Sequence, residues 1–519
     1  MNSKITLGIF LIIAVIASLF IGSTIGQARY TDLSEYGLII FLLLYLGYLY
    51  RFTWQIILLI FSSGARFNFG FAITSTHISI LLLFVYGGLI FLYKKNPFPR
   101  PEIFPKIRVG RLVFFIAALL GFGVFSFVVN KIMPYSGGDY ATKNMLKGYF
   151  DGFVPALFLF VALLFPYSFR ISEKVIPTVI TMFLIGSSIN LAHLAYLYSQ
   201  GYGGSDILLS NDDASMFYIP LINATFGAMT LRGIGPLAVL LSFMILSYPG
   251  VLSVRSRYLK IAAICLLGVG LLGSVMSGGR AAVLQSLFYL VLVAVIYRRI
   301  FLVFGAMMAF VVVVVVANIF SSYINNKAPT FVARPLQYVM IEKGRAMTTI
   351  ENSSDYRTEL FLAGIEEWQS APRITLIGRS VYVPLDLDQQ KRYLGDLGAF
   401  LTVNLASATC HALLPSVLVQ YGIVGTVLYY LVYLLIVRYF WNIHKIVKSG
   451  NYSNELIILS LFALITVGFG LIVNTIGGGW FGIYQVLMVV LLKSVASRDE
   501  NKARQDFARE NSANLSTQA

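Results

Sequence analysis

Arg280, Arg357 and His411 are the side chains whose type and setting best suit chemistry on a charged, polar reactant. Arg280 closes the turn Ser277-Gly278-Gly279-Arg280 between two apolar runs. A guanidinium beside glycines can approach a diphosphate closely and grip it through two parallel hydrogen bonds. Charge at the edge of an apolar run is costly and calls for a partner or a task; the competing reading is a helix-end arginine that snorkels to an interface. Arg357 opens Arg357-Thr358-Glu359-Leu360-Phe361-Leu362, where a surface ion pair with Glu359 or Asp355 is the structural alternative. His411 stands in Cys410-His411-Ala412-Leu413-Leu414, where a polar stretch gives way to an apolar one. A neutral imidazole there can accept a proton as general base, and an interfacial histidine without chemistry is the alternative. Asp212-Asp213 is the best carboxylate pair for holding a metal or activating an acceptor, although adjacent loop acids are most often solvated.

Other residues offer less. His77, His193 and His444 form no metal-ligand spacing, and the two cysteines, Cys265 and Cys410, lie far from any histidine pair, so neither a zinc site nor a disulfide framework emerges. Cys410 as a nucleophile would need a base and an oxyanion site that the sequence does not supply. No phosphate-binding loop, dinucleotide fingerprint or nucleophile elbow is present, which leaves cytosolic nucleotide chemistry without a platform.

The elements that must position these residues are apolar. The 519 residues are 58% hydrophobic and 12% charged, and mean hydropathy is +0.78, too apolar for a surface dressed for water. Runs at 5–24, 36–50, 53–63, 73–93, 112–131, 152–168, 175–198, 233–250, 261–276, 281–297, 300–319, 412–437, 455–474 and 478–493 predict membrane helices. The run at 5–22 after Lys4 resembles a signal core, but further spans follow it, and it reads as an uncleaved first helix. The run at 53–63 is short and reads as a re-entrant or tilted piece ending at Ser62-Ser63-Gly64.

Positive charge sets the expected orientation. A net charge of +16 and a pI near 9.6 reflect Lys and Arg collected in short loops, which points to topology instead of a nucleic-acid partner. The loop 94–111, with Lys94, Lys95, Arg100, Lys106, Arg108 and Arg111, is expected inside, together with the basic clusters near 170–174, 255–260, 298–299, 438–448 and 493–509. The opposite face then owns 132–151, 199–232, the turn 277–280 and the long segment 320–410, which carries nine basic and nine acidic residues. A segment of that length holds helices of its own; Ser354 or Asp355 can cap one in which Phe361, Ile365 and Trp368 share a face and Arg357 sits in the first turn. The expected organisation is an all-α polytopic transmembrane bundle of about 12–14 spans. Residues 1–319 supply N-terminal helices, 320–410 the long outer loop, 411–494 the C-terminal helices and 495–519 a disordered tail.

Taken in order, three stretches resemble the O-antigen ligase and O-antigen polymerase superfamily of membrane glycosyltransferases. The first is Ser277-Gly278-Gly279-Arg280 before a new helix, similar to the family's Ser-Arg-Gly turn with the glycines placed ahead of the arginine. The second runs from Arg357 to Trp368 and on through Pro372 and Gly378, similar to the family's succession of arginine, amphipathic helix, proline and glycine. The third is His411 through Gln420-Tyr421-Gly422-Ile423-Val424-Gly425, which resembles the family's histidine at the start of a helix with a Gly-Leu-Ile-Gly-like step. In the family an asparagine often follows the histidine and an acid often precedes the first glycine; here these are Ala412 and Tyr421.

The resemblance implies a GT-C-like fold in the bacterial inner membrane and metal-independent, inverting transfer of glycan from a polyprenyl diphosphate carrier at the periplasmic face, with no cofactor. It implies His411 as base, Arg280 and Arg357 stabilising the departing diphosphate, and Arg280, Arg357 and Arg373 binding the donor. The expected activity is O-antigen or exopolysaccharide polymerisation. A ligase that uses lipid A core, or a protein O-oligosaccharyltransferase, differs in acceptor alone. The alternative of another class is a lipid-linked oligosaccharide flippase, which would show repeated halves around a midplane cavity. Partners implied are the carrier-linked oligosaccharide, the bilayer and a chain-length regulator, with no nucleic acid.

Overall fold

The computed structural model describes residues 45, 52–68, 72–93, 110–132, 156–160, 162–163, 175–200, 216–219, 224–227, 231–248, 257–277, 280–327, 333, 336–337, 340–342, 345–379, 410, 412–450, 452–473 and 483–518. The expected helix at 5–24, nearly all of 36–50, most of the basic loop 94–111, Asp212, Asp213 and His411 lie outside the described residues. In chain order the elements are α1 (Thr53–Ser63), β1 (Ala65–Asn68), β2 (Ala72–Thr74), α2 (Ser75–Tyr93), α3 (Gly110–Ile132), α4 (Val175–Ser199), β3 (Met216–Ile219), β4 (Ala224–Gly227), α5 (Leu231–Ser247), α6 (Arg257–Met276), α7 (Arg280–Ile296), α8 (Ile300–Ile319), α9 (Ser321–Lys327), α10 (Arg345–Gln369), α11 (Pro372–Ile377), α12 (Leu413–Ser449), α13 (Asn454–Val473) and α14 (Ile483–Gln518).

The architecture is predominantly helical. Among the described residues, α4, α6 and α12 are long and apolar enough to cross a membrane; α4, with 25 residues, is about 37 Å long against a hydrocarbon layer of about 30 Å. The chain divides into two compact units, one of Met1–Pro97 with Phe169–Thr348 and one of Phe98–Ser168 with Thr349–Ala519.

In the first unit, α1 is short, as its sequence suggests: 11 residues ending at Gly64, whose φ of 64° caps the helix in the left-handed region. Eleven residues rise about 16 Å, half the hydrocarbon thickness, so the carbonyls at its end need partners. Asn190 of α4 provides them, its Nδ2 donating to Ser63 O at 2.7 Å and reaching Ser62 O at 3.3 Å. Gly186, one turn earlier, lets the helices meet closely, because a Cβ there would lie 2.7 Å from the Ser62 carbonyl carbon. Replacing Asn190 with Leu is expected to cost about 1–3 kcal/mol by stranding those carbonyls, read as a lowered thermal midpoint of the detergent-solubilised protein.

The all-α expectation needs one correction. The described residues include a four-stranded antiparallel sheet in the order β2-β1-β4-β3, with Arg66 opposite Thr74 on one side and Thr225 on the other. Its strands are three or four residues long, too short for alternation to register in a sequence. The β1–β4 pairing joins residues about 160 apart and ties the α1–α2 connection to β3 and β4.

Helices α5, α6 and α7 pack together. At the α5–α6 crossing, a Cβ on Gly270 would lie 3.0 Å from Gly235 O, the close backbone approach that small residues permit between membrane helices. Ser274 and Ser286 hydrogen-bond at 2.9 Å and tie α6 to α7. Beyond α8, Ser321 Oγ donates to Glu342 Oε2 at 2.9 Å and Ile341 N donates to Asn318 Oδ1 at 2.7 Å, folding the chain back on α8–α9. Of the segment 320–410, the part to Thr348 belongs to this unit and the part from Thr349 to the other.

In the second unit, α12 packs against α3, α11 and α13, and α13 against α14. His444, expected in a basic loop, lies inside α12 with Nδ1 2.9 Å from Ser460 Oγ of α13. Lys493 of α14 is buried and donates to the carbonyls of Ala162 and Leu163. Arg498 pairs with Glu455 at 2.7 Å, joining α14 to the start of α13. The tail expected to be disordered continues α14 to Gln518. Strong helix formers fill it, and Glu500 precedes Arg504 by one turn, the favourable order for a helical pair.

Candidate functional site

Arg280 is the first residue of α7, in the first unit. The turn before it is held by its carbonyls: Tyr198 OH donates to Met276 O at 2.8 Å, and Arg232 Nε donates to Ser277 O at 3.2 Å. Ser277 Oγ donates in turn to Ser274 O at 2.8 Å. The ends of α4 and α6 and the start of α5 therefore meet at one place. Arg232 went unnoticed in the sequence because 45 residues separate it from Ser277.

The other motif-bearing stretches converge in the second unit. Arg357 lies in the middle of α10 and is exposed. Its expected place in a first turn is corrected, since α10 begins at Arg345 and runs through Ser354 and Asp355. Phe361, Ile365 and Trp368 do share one side of α10, but it is not the most buried side. Phe361 is 39% exposed, whereas Leu360, Ala363, Gly364 and Glu367 are buried; the docked face is turned by about 100°, one residue, from Phe361-Ile365-Trp368.

That face meets the start of the third stretch. A Cβ on Gly364 would lie 2.7 Å from Cys410 Sγ and 3.2 Å from Pro415 Cβ, so α10 rests directly on the residue before His411. Cys410 N donates to Ser416 Oγ at 2.9 Å, and Ser416 Oγ donates to Ala412 O at 2.7 Å, which braces the backbone on both sides of position 411. Burial pushes the Cys410 thiol up to about 12, against the opposing pull of Arg379 and a Ser416 hydrogen bond. Such a thiol stays protonated at neutral pH and is a poor nucleophile.

After α10 the chain turns at Ser370-Ala371, where Trp368 Nε1 donates to Thr375 O at 3.0 Å and Thr375 Oγ1 donates back to Trp368 O at 3.1 Å. Helix α11 starts on Pro372, ends at Gly378, and carries Arg373, half-buried, in its first turn. Gly378, with φ of 76°, and Gly422, with φ of 61°, let α11 and the kink in α12 touch backbone to backbone. Arg379 N donates to Val419 O at 2.8 Å across this contact, and Ser126 Oγ of α3 donates to Ile377 O at 3.2 Å.

Buried within the junction is an ion pair. Arg379 and Glu367 stand 3.3 Å apart, with side chains 1% and 5% exposed. Neither was a candidate in the sequence. The available signal was that Gly378-Arg379 follows Pro372 closely, but an Arg-Glu pair twelve residues apart looks like any surface pair until the helix between them turns back.

The structure thus brings Arg357, Arg373 and the residues on both sides of position 411 into one unit, and places Arg280 in the other. Comparison of the chain with protein-family models gives no match, and comparison with curated proteins gives none.

Proposed function

We propose that this chain is a polytopic inner-membrane glycosyltransferase that polymerises carrier-linked glycan repeat units at the periplasmic face. The observation that carries this reading is the junction of α10, α11 and α12. Two stretches separated by a long intervening segment, one bearing Arg357 and Arg373 and one bearing the neighbours of His411, pack through Gly364 on Cys410 and through Gly378 against Gln420 and Gly422. A scaffold this close, built on glycines, suits a site that must present a guanidinium and an imidazole to the same reactant.

The chemistry follows from charge. Breaking the bond between sugar and diphosphate leaves negative charge on the leaving oxygen, which a guanidinium already aimed at that oxygen stabilises. Arg357 is assigned that role, and Arg373 the donor end of the substrate. His411 takes the proton of the incoming hydroxyl as the glycosidic bond forms on the face opposite the leaving group, which inverts the anomeric centre. The lipid of the carrier stays among apolar helices throughout.

Deleting the gene and separating the surface polysaccharide on a gel tests the reading. Loss of the ladder, with a single repeat unit left on lipid A core, is the expected result. Loss of all attached glycan, with long polymer retained on the carrier, would assign the ligase reaction instead. An unchanged pattern would remove both and favour the flippase. Chelation of divalent metal is expected to leave transfer by purified protein unchanged; loss with EDTA and recovery with added metal would return the catalytic role to Asp212 and Asp213.

A further inference from the structure

Helix α10 has two faces on which it could dock. Phe361, Ile365 and Trp368 form an apolar stripe, of which Phe361 is 39% exposed while Ile365 and Trp368 are half-buried, Trp368 against Thr375 of α11. The face that docks contains Leu360 at 0%, Ala363 at 5%, Gly364 and an acid, Glu367, at 6%. Apolar burial by itself does not set that rotation, because the less buried stripe offers larger side chains. The group that distinguishes them is Glu367, 3.3 Å from the fully buried Arg379.

Arg379 is itself fixed from both directions. Its amide donates to Val419 O, and the preceding Gly378 lies against Gln420 and Tyr421 of α12. The pair therefore links the rotation of α10 to the backbone of α12 at Val419–Tyr421, in the same helix whose start follows position 411. On α10, Arg357 and Gly364 are seven residues apart, which puts them within about 20° of one face and about 10 Å along the axis. Gly364 rests on Cys410, so the rotation that seats Gly364 also aims Arg357 along the side of the helix that meets the 410–412 segment.

Building on the glycosyl-transfer reading above, we propose that the Glu367–Arg379 ion pair is a positioning element of the transfer site: it selects the docked face of α10 and so sets Arg357 relative to the segment that carries His411. The pair does not touch substrate. A buried ion pair is seldom the cheapest way to stabilise a fold, since apolar or neutral replacements often serve as well; its directionality suits the choice between two apolar faces.

The test uses full-length protein with Cys265→Ser, so that Cys410 is the remaining thiol, and the double variant Glu367→Gln/Arg379→Gln, which removes both charges together and avoids leaving one buried alone. In the parent, Cys410 is expected to resist a hydrophilic maleimide. In the double variant, with membrane insertion and thermal midpoint preserved, Cys410 is expected to label at least ten times faster, and kcat for carrier-linked glycan to fall about 100-fold with KM within threefold, the scale of a misplacement near 1 Å. Exchange of the two residues, Glu367→Arg/Arg379→Glu, is expected to recover at least tenfold of that loss.

A folded double variant with parental kcat and a protected Cys410 would overturn the proposal. So would a kcat per folded molecule that stays parental while the folded fraction drops, since the pair would then serve stability alone. The readouts also separate this proposal from the reaction it rests on. If Arg357→Ala transfers normally, the assignment of the reaction falls, while maleimide labelling still decides whether the pair holds α10 on Cys410.

Discussion

Arg357→Ala is expected to reduce glycan transfer by about 10²–10³-fold while the protein remains inserted and equally abundant. The two halves of this expectation have different sources. Arg357 is exposed on the middle of α10, and exposed substitutions away from caps and buried networks rarely disturb a fold. Charge stabilisation in the transition state, by contrast, depends on a donor already aimed at the place where charge develops. Arg357→Lys keeps the charge but loses the planar fork, so its activity should fall between the parent and Ala. His411→Ala removes the proposed base and is expected to cost about 10²–10⁴-fold. The measurement is transfer by purified protein between carrier-linked glycans, with abundance followed on the same samples. Normal transfer by both Ala variants would remove these residues from the site.

The largest effect on folding is expected at Gly422. Its φ of 61° and ψ of −169° fall where L side chains are strongly disfavoured, and a Cβ there would overlap the carbonyl of Leu376 and the amide nitrogen of Gly378. These are backbone atoms, which cannot swing aside as the end of a flexible side chain can. Gly422→Ala should therefore cost about 2–5 kcal/mol through backbone strain and overpacking together. Gly378→Ala meets Gln420 and Tyr421 in the same way. Gly468→Ala in α13 is the control, because a Cβ there meets open space and the change favours a helix. Thermal midpoints in one detergent compare the three. A Gly422→Ala protein as stable as the parent would mean that α11 and α12 do not meet backbone to backbone.

Several features were legible before any fold was known. The apolar runs coincide with α1, α2, α4, α5, α6, α7 and α8 because a helix that meets lipid or other apolar helices must be apolar along its length, and that is a property of consecutive residues. The end of α1 at Ser62-Ser63-Gly64 was readable for the same local reason, a glycine available for the left-handed turn. The glycines of the second and third stretches stood out by spacing, although their purpose did not.

What required the tertiary structure involves pairs of distant residues. The sheet joins strands too short to show a pattern of their own. The start of α10 at Arg345 was not marked by any apolar pattern in its polar first turns. Most of all, the docked face of α10 could not be read from its periodicity. Sequence alone determined that a helix capped at Ser354 or Asp355 could present an apolar stripe at Phe361, Ile365 and Trp368. Tertiary structure decided that Leu360, Ala363, Gly364 and Glu367 would be buried instead. The physical reason is that a buried carboxylate needs a charged partner at a particular place, and Arg379 reaches that place only after α11 has carried the chain back to α12.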